Sequence, residues 1–186
     1  MKKVLFILGE LTDDDIDWMI AISTQERVPA GTVLIQEGQL IDALYIVIDG
    51  NFTVSVQVLG DKQVAHLSSG EVIGEMSFVD ERPPSATVTA AVESLVLSIP
   101  REELAAKLQQ DIGFASRFYR ALAIFLSDRL RGTVSRLSSG REPSAEERTA
   151  QENSLAPNIR DNLALGGTRF DWLLRRLRGM NAQTLE

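Results

Sequence analysis

The sequence predicts a mainly β domain, an antiparallel barrel or double-sheet jelly roll, with flanking helices. Three observations carry this. Between Glu26 and Ile99 apolar residues come in short runs, several alternating with a period of two. Glycine-bearing turns separate the runs at short, regular intervals. After Pro100 the apolar period lengthens to three and four.

The first residues, MKKVLFILGELTDDD, combine two lysines with a short apolar run, but no small-residue cleavage site follows, and acids come at once. Val4 to Leu8 therefore reads as part of a domain helix. Thr12 is placed as an N-cap, with Asp13, Asp14 and Asp15 complementing the positive helix start. Ile16, Met19, Ile20 and Ile22 then form the apolar stripe of a helix ending near Ser23 to Gln25, with Trp18 read as a packing residue.

Val28 and Thr32 to Ile35 are short strands around the turn Pro29-Ala30-Gly31, closed by Glu37-Gly38. Ala43 to Ile48 is a third, and Asp49-Gly50 after it is a hairpin signal leading to Phe52 to Val56. Gly60-Asp61 turns the chain into Val64 to Leu67, and the last strands are Thr87 to Ala90 and Val92 to Ile99. Pro100-Arg101-Glu102-Glu103 opens a helix, since proline is tolerated in a first turn and glutamates suit its positive end. Between Asp111 and Leu137 the residues Ala115, Tyr119, Leu122, Leu126, Leu130, Val134 and Leu137 step by three and four along one face. Such a helix either lies back on the barrel or pairs with a second copy of itself.

Residues 138–167 are polar, proline-containing and poor in aromatics, and they read as a linker or arm with little regular structure. Residues 168–180 become amphipathic again, with Phe170, Trp172 and several arginines. That helix docks on its own domain, on a partner protein or on a membrane surface. The organisation expected is thus a domain over 1–137, an arm over 138–167 and a helix over 168–180.

Composition narrows the function. The formal charge is −7, so broad nucleic-acid coating is not expected. The chain has no cysteine and one histidine, His66, which excludes thiolate and histidine-rich metal centres. It is compatible with a reducing cytoplasm, the expected location. No apolar run is long enough for a membrane span. No paired acid and base or nucleophile constellation is visible, so neither catalytic nor metal-ligating residues are assigned, no cofactor is expected, and an enzyme is not expected.

The least periodic stretch is Gly70 to Ala90, GEVIGEMSFVDERPPSATVTA. Gly70 and Gly74 bracket Glu71-Val72-Ile73, and Glu75 to Val79 reads as one short helical turn. A glycine opening a helix suggests an anion site, because exposed N–H groups there can cradle a phosphate. Plain turns between strands are the other reading of the glycine pair.

Over roughly residues 5 to 137 the chain resembles a cyclic nucleotide-binding domain, the sensory module of catabolite activators, cyclic-nucleotide-dependent kinases and cyclic-nucleotide-gated channels. The resemblance rests on a leading helix, Gly31 and Gly38 in early turns, Leu44-Tyr45-Ile46-Val47 with Gly50, and the stretch Gly70 to Ala90. It implies a jelly-roll barrel (double-stranded β-helix) with a long C-terminal helix and an extended tail, in which a phosphate-binding cassette holds cyclic AMP or cyclic GMP. The carry-over places Gly74, Glu75, Met76 and Ser77 at the cassette helix start, with Glu75 accepting from the ribose 2′-hydroxyl. A carboxylate, acceptor-only, suits that role. Ser85 and Ala86 would face the phosphate, and Thr87, Val72 and Ile73 the base.

One position departs from the pattern. The family places an arginine just before the Ser-Ala pair, and this chain has Pro84. Proline offers no charge, no side-chain donor and no N–H. Arg82, two residues earlier, is the candidate substitute, with a solvated turn residue as its plainer reading. Two functions follow from the resemblance. One is a regulatory module that senses a cyclic nucleotide and signals through its C-terminal helix and tail, its binding weakened or lost by Pro84. The other is a ligand-independent module that dimerises through Ala115 to Leu137 and presents its tail to another protein. The three compact helices of a helix-turn-helix are missing after residue 138, so DNA is not an expected partner.

Overall fold

The structure, a computed structural model, describes residues 2–60, 62–139, 144, 146, 149–150 and 153–183. They fall into two compact units, residues 1–4 with 13–112, and residues 5–12 with 113–186. The first helix, α1 (Val4–Glu10), crosses that division after its first residue.

In the first unit, α2 (Asp13–Ile22) begins with three aspartates in its first turn and buries Ile16, Met19 and Ile20. Trp18 is half-buried beneath the Lys107 ammonium, which stands 5.5 Å from the ring centroid. Eight strands follow: β1 (Thr24–Val28), β2 (Val33–Ile35), β3 (Ala43–Asp49), β4 (Asn51–Val56), β5 (Lys62–Ser68), β6 (Val72–Ile73), β7 (Thr87–Ala90) and β8 (Ser94–Pro100). They form two antiparallel sheets, ordered β1-β8-β3-β6 and β2-β7-β4-β5. This is the double-sheet jelly roll expected from the alternating runs. Val28, Ile35, Tyr45, Val47, Phe52, Val54, Ile73, Val88 and Val96 point into one shared core, an arrangement that β-branched and aromatic side chains fill well.

The hairpin expected at Asp49-Gly50 is not one. β3 and β4 lie in different sheets, and Gly50 (φ 96°) carries the chain from one to the other, close against Ser94. A side chain at Gly50 would overlap Ser94, so the glycine serves close approach as well as the turn. The true hairpin is β4–β5, joined through a 3₁₀ turn (Gln57–Leu59) that Gly60 closes at φ 70°. Asp61 lies outside the described residues. The unit ends with α3 (Glu75–Asp80), set between β6 and β7, and α4 (Arg101–Gln110), which starts directly after β8.

The second unit is helical. α5 (Ile112–Ser139) buries Phe114, Phe118, Ala121, Leu122 and Phe125. The stripe expected to line one face behaves differently along its length. Leu122 is buried, and Ala115 and Leu126 are half-buried. Tyr119, Leu130 and Val134 are exposed, and the side chain of Leu137 lies outside the described ones. α5 therefore has two apolar faces, and the phenylalanine face is the buried one.

The last helix, α6 (Pro157–Gln183), starts well before residue 168 and takes in residues 157–167, which composition assigned to the arm. Most of residues 140–152 lie outside the described ones. Pro157 sits at the first helical position, where its missing N–H costs nothing. Gly166 lies against Leu5 O and Gly9 N, and Gly9 against the Asn162 backbone, so a Cβ at either glycine would overlap the other helix. Gly9 and Gly166 are there for this crossing of α1 and α6. Polar contacts complete it. Arg169 Nη1 donates to Leu8 O (2.8 Å) and Leu11 O (2.7 Å), satisfying carbonyls that α1 leaves open at its C-terminal end. Asn162 Nδ2 donates to Glu10 Oε1 at 2.8 Å, and Arg120 pairs with Glu10. Of the three destinations considered for the C-terminal helix, this structure shows docking on its own chain.

Candidate functional site

The site is built on the bend from β6 into α3. Ile73 is buried in the core, and the next residue, Gly74, has φ 93° and ψ 0° and caps α3 from the left-handed region. A Cβ on Gly74 would stand 2.7 Å from Ile41 Cδ1 and 3.3 Å from Ala43 O, so both its conformation and its packing demand glycine. That bend turns Glu75 inward: its side chain is only 3% exposed, and Ser77 and Phe78 are also buried. Met76 and Val79 face outward. Upstream, Gly70 (φ 88°) exchanges backbone bonds with its surroundings, its N–H donating to Val47 O and its carbonyl accepting from Val4 N, both at 2.8 Å. Gly70 and Gly74 thus do make turns, and the second also opens the buried carboxylate's helix.

After α3 the chain runs through Glu81, a non-glycine residue at φ 58°, and the rigid pair Pro83-Pro84. Arg82 turns back to Asp80: its N–H donates to Asp80 Oδ1 at 3.1 Å, and Nε stands 4.0 Å from Oδ2. The Arg82 side chain is 83% exposed. Pro84 uses its only backbone polar group, the carbonyl, to accept from Gly38 N at 2.9 Å. Ser85 is exposed, and Ala86 is half-buried against the sheet core. The Thr87 hydroxyl oxygen accepts from Glu37 N (3.1 Å) and Gln36 Nε2 (3.2 Å), so it faces the loop between β2 and β3. A fourth bond to that loop comes from Glu37 Oε2, accepting from Gln57 N at 2.8 Å. Val72 and Ile73, expected near the base, are both buried strand residues paired to β3.

Gly74, Glu75 and Ser77 thus open the segment between β6 and β7, Pro84 to Ala86 close it, and Thr87 begins β7. The charged side chains along this segment are Glu75, Asp80, Glu81 and Arg82, of which Arg82 faces Asp80. A carboxylate such as that of Glu75 accepts from a hydroxyl and repels an anionic phosphate.

Sequence reasoning took Arg101 only as the opening of a helix. Its side chain fastens α3 to the start of α4. Nη1 donates to Ser77 O at 2.9 Å, and the guanidinium stands 5.5 Å from the Phe78 ring centroid. Its own N–H donates to Asp42 O at 2.7 Å. An arginine following a strand-ending proline was the available signal, but its partner lies 24 residues earlier and cannot be read from spacing. Nearby, Tyr45 is buried, and its phenol is pushed above its usual pKa by that burial and by the negative charges of Asp42 and Glu26, a bond to Ser98 acting the other way.

Among the described residues no group of acids and histidine is gathered as a metal site, and no helix is long and apolar enough to cross a membrane. His66 lies exposed on β5 beside the Gln63 amide.

Residues 25–111 match the family model of the cyclic nucleotide-binding domain. The chain is 29% identical over 118 residues to a cAMP-dependent protein kinase regulatory subunit of Blastocladiella emersonii, an alignment covering 62% of this chain and 29% of that protein. It is 29% identical over 102 residues to the cyclic AMP receptor protein of Thermus thermophilus, covering 54% and 47%. The chain thus spans less than half the length of these relatives. The solved structure of a cyclic nucleotide-binding domain from Methylobacillus flagellatus superposes with a TM-score of 0.66 at 20% identity, covering 77% of this chain and 85% of that one.

Proposed function

We propose that this chain, whose residues 25–111 form a cyclic nucleotide-binding domain, is a non-enzymatic cytoplasmic regulatory module that takes cyclic AMP or cyclic GMP in the Gly74 to Thr87 cassette. The observation that carries the reading is the buried Glu75 carboxylate behind the left-handed Gly74, where a ribose hydroxyl can donate to it. Arg101 supplies the route outward. A ligand that draws α3 inward shifts Ser77 and Phe78, the two groups to which Arg101 is bound at the start of α4. Binding alone transmits nothing; the ligand must favour one placement of α3 over another.

Pro84 weakens the site. A charge-assisted hydrogen bond is worth about 1.5–3 kcal/mol, so its loss lowers affinity roughly 10- to 150-fold. Arg82, facing Asp80 and solvent, is no ready substitute in this arrangement. These facts favour a second reading, a ligand-independent module on the same fold. In both readings the exposed Tyr119, Leu130 and Val134 of α5 form the seam of a homodimer, and the tail of the chain is available to a protein partner.

Calorimetric titration with cyclic AMP and cyclic GMP separates the two. Saturable binding abolished by Glu75→Ala supports the sensor. Absence of heat and of thermal stabilisation at millimolar nucleotide sinks it and leaves the interaction module.

A further inference from the structure

Beside the cassette, and lined by none of its residues, a hollow of about 320 Å³ opens between β2 and β3. Its volume is at the lower end of the range for small-molecule sites. The walls are mixed. Leu34, Ile41 and their aliphatic neighbours supply hydrocarbon, Gln36 and Gln39 supply amides, and Asp42 and Tyr45 supply an anion and a phenol. No lysine or arginine lines it. Among the described residues the Asp42 carboxylate has no ion pair. Leu40, 74% exposed, is an apolar side chain held open to solvent at the rim.

We propose that this hollow is a second binding site, for a small amphipathic amine whose ammonium group meets Asp42 and whose hydrocarbon lies along Leu34, Leu40 and Ile41. Charge selects the class. A carboxylate at a mouth lined by no cationic side chain repels anions, gives a neutral alcohol only one hydrogen bond, and gives an ammonium both a hydrogen bond and Coulomb attraction. The negative field at this end is also felt by Tyr45, whose ionisation both Asp42 and Glu26 oppose. An aromatic side chain in the same wall adds a surface that cations favour.

The site touches the cassette from behind. Ile41 and Ile35 are the side chains that close on Gly74, and the Asp42 carbonyl accepts from Arg101 N. An amine seated here presses on the residues that set the α3 bend. The assignment does not depend on nucleotide binding, since it uses no cassette residue.

The test is a methyl NMR titration of the full chain, without nucleotide, using hexylamine, with hexan-1-ol and hexanoate as matched controls. Saturable shifts at the Leu40 and Ile41 methyls with hexylamine are expected, at least threefold tighter than with hexan-1-ol and absent with hexanoate. Asp42→Asn should bring hexylamine down to the alcohol's affinity, about a three- to fivefold loss, the worth of a partly screened ion pair. Leu40→Ser, another surface change that leaves the core alone, should weaken both hexylamine and hexan-1-ol. Equal affinity for amine and alcohol, an unchanged affinity in Asp42→Asn, or shifts confined to other surfaces would each overturn the assignment.

Discussion

Replacing Arg101 by methionine keeps most of the aliphatic stem and deletes the charge that ties α3 to α4. Two contacts go. The Arg101 Nη1 bond to Ser77 O at 2.9 Å is charge-assisted, worth about 1.5–3 kcal/mol, and the guanidinium over Phe78 adds roughly 0.5–1 kcal/mol at a half-buried site. The two act through one side chain and are not fully additive, so about 2–3 kcal/mol is expected. Urea unfolding measures it, and the tryptophans allow the units to be followed separately. Trp18 belongs to the first unit and Trp172 to the second, so a Trp172→Phe background reports on the first alone. With a slope of roughly 1–1.5 kcal/mol per M for a unit of this size, the midpoint should fall by about 1.3–3 M. Hydrogen exchange adds a local check, since the Phe78 amide, bonded to Gly74 O at 3.1 Å, should lose protection first. A change under about 0.5 kcal/mol with Phe78 protection intact would refute the claim that Arg101 holds the cassette helix.

Gly166→Leu should destabilise the second unit by about 2–4 kcal/mol, because its side chain must displace the Leu5 and Gly9 backbone; Trp172 fluorescence during urea unfolding reads the loss. For Tyr45 the folded pKa is raised, so the contribution to stability is full below about pH 10 and falls as the pH rises through the folded value. Stability of the first unit measured from pH 8 to 11 should therefore decline at the alkaline end, and Tyr45→Phe should remove that part of the slope. Leu130→Glu with Val134→Glu should convert a dimer to a monomer in light scattering; a dimer that survives both charges places the seam elsewhere.

The sheets were legible because their residues obey one simple rule: Phe52, Val54, Val88 and Ala90 alternate toward a common core. Local rules failed where a residue answers to a distant partner. Asp49-Gly50 has the composition of a hairpin, yet Gly50 is placed by Ser94 and carries the chain between sheets. The Gly166-Gly167 pair lowers helix propensity, yet α6 runs from Pro157 through both, with Gly166 set against Leu5 and Gly9. On α5 the stripe through Tyr119, Leu130 and Val134 fits a helical period as well as the phenylalanine stripe does, and periodicity cannot say which face is covered. At the site, Gly74 caps α3 and Glu75 begins it, the helix start that the resemblance implies. Arg101, Ile41 and the Gly38 to Pro84 bond were invisible, since each joins segments far apart in sequence.

As proposed, the cassette is a nucleotide site whose weakness lies at Pro84. Calorimetry of the Pro84→Arg chain with cyclic AMP and cyclic GMP tests it most directly. The expected affinity is at least tenfold above that of the natural sequence and is lost again in Pro84→Arg with Glu75→Ala. No gain from the arginine, in a protein whose unfolding transition is unchanged, would contradict it.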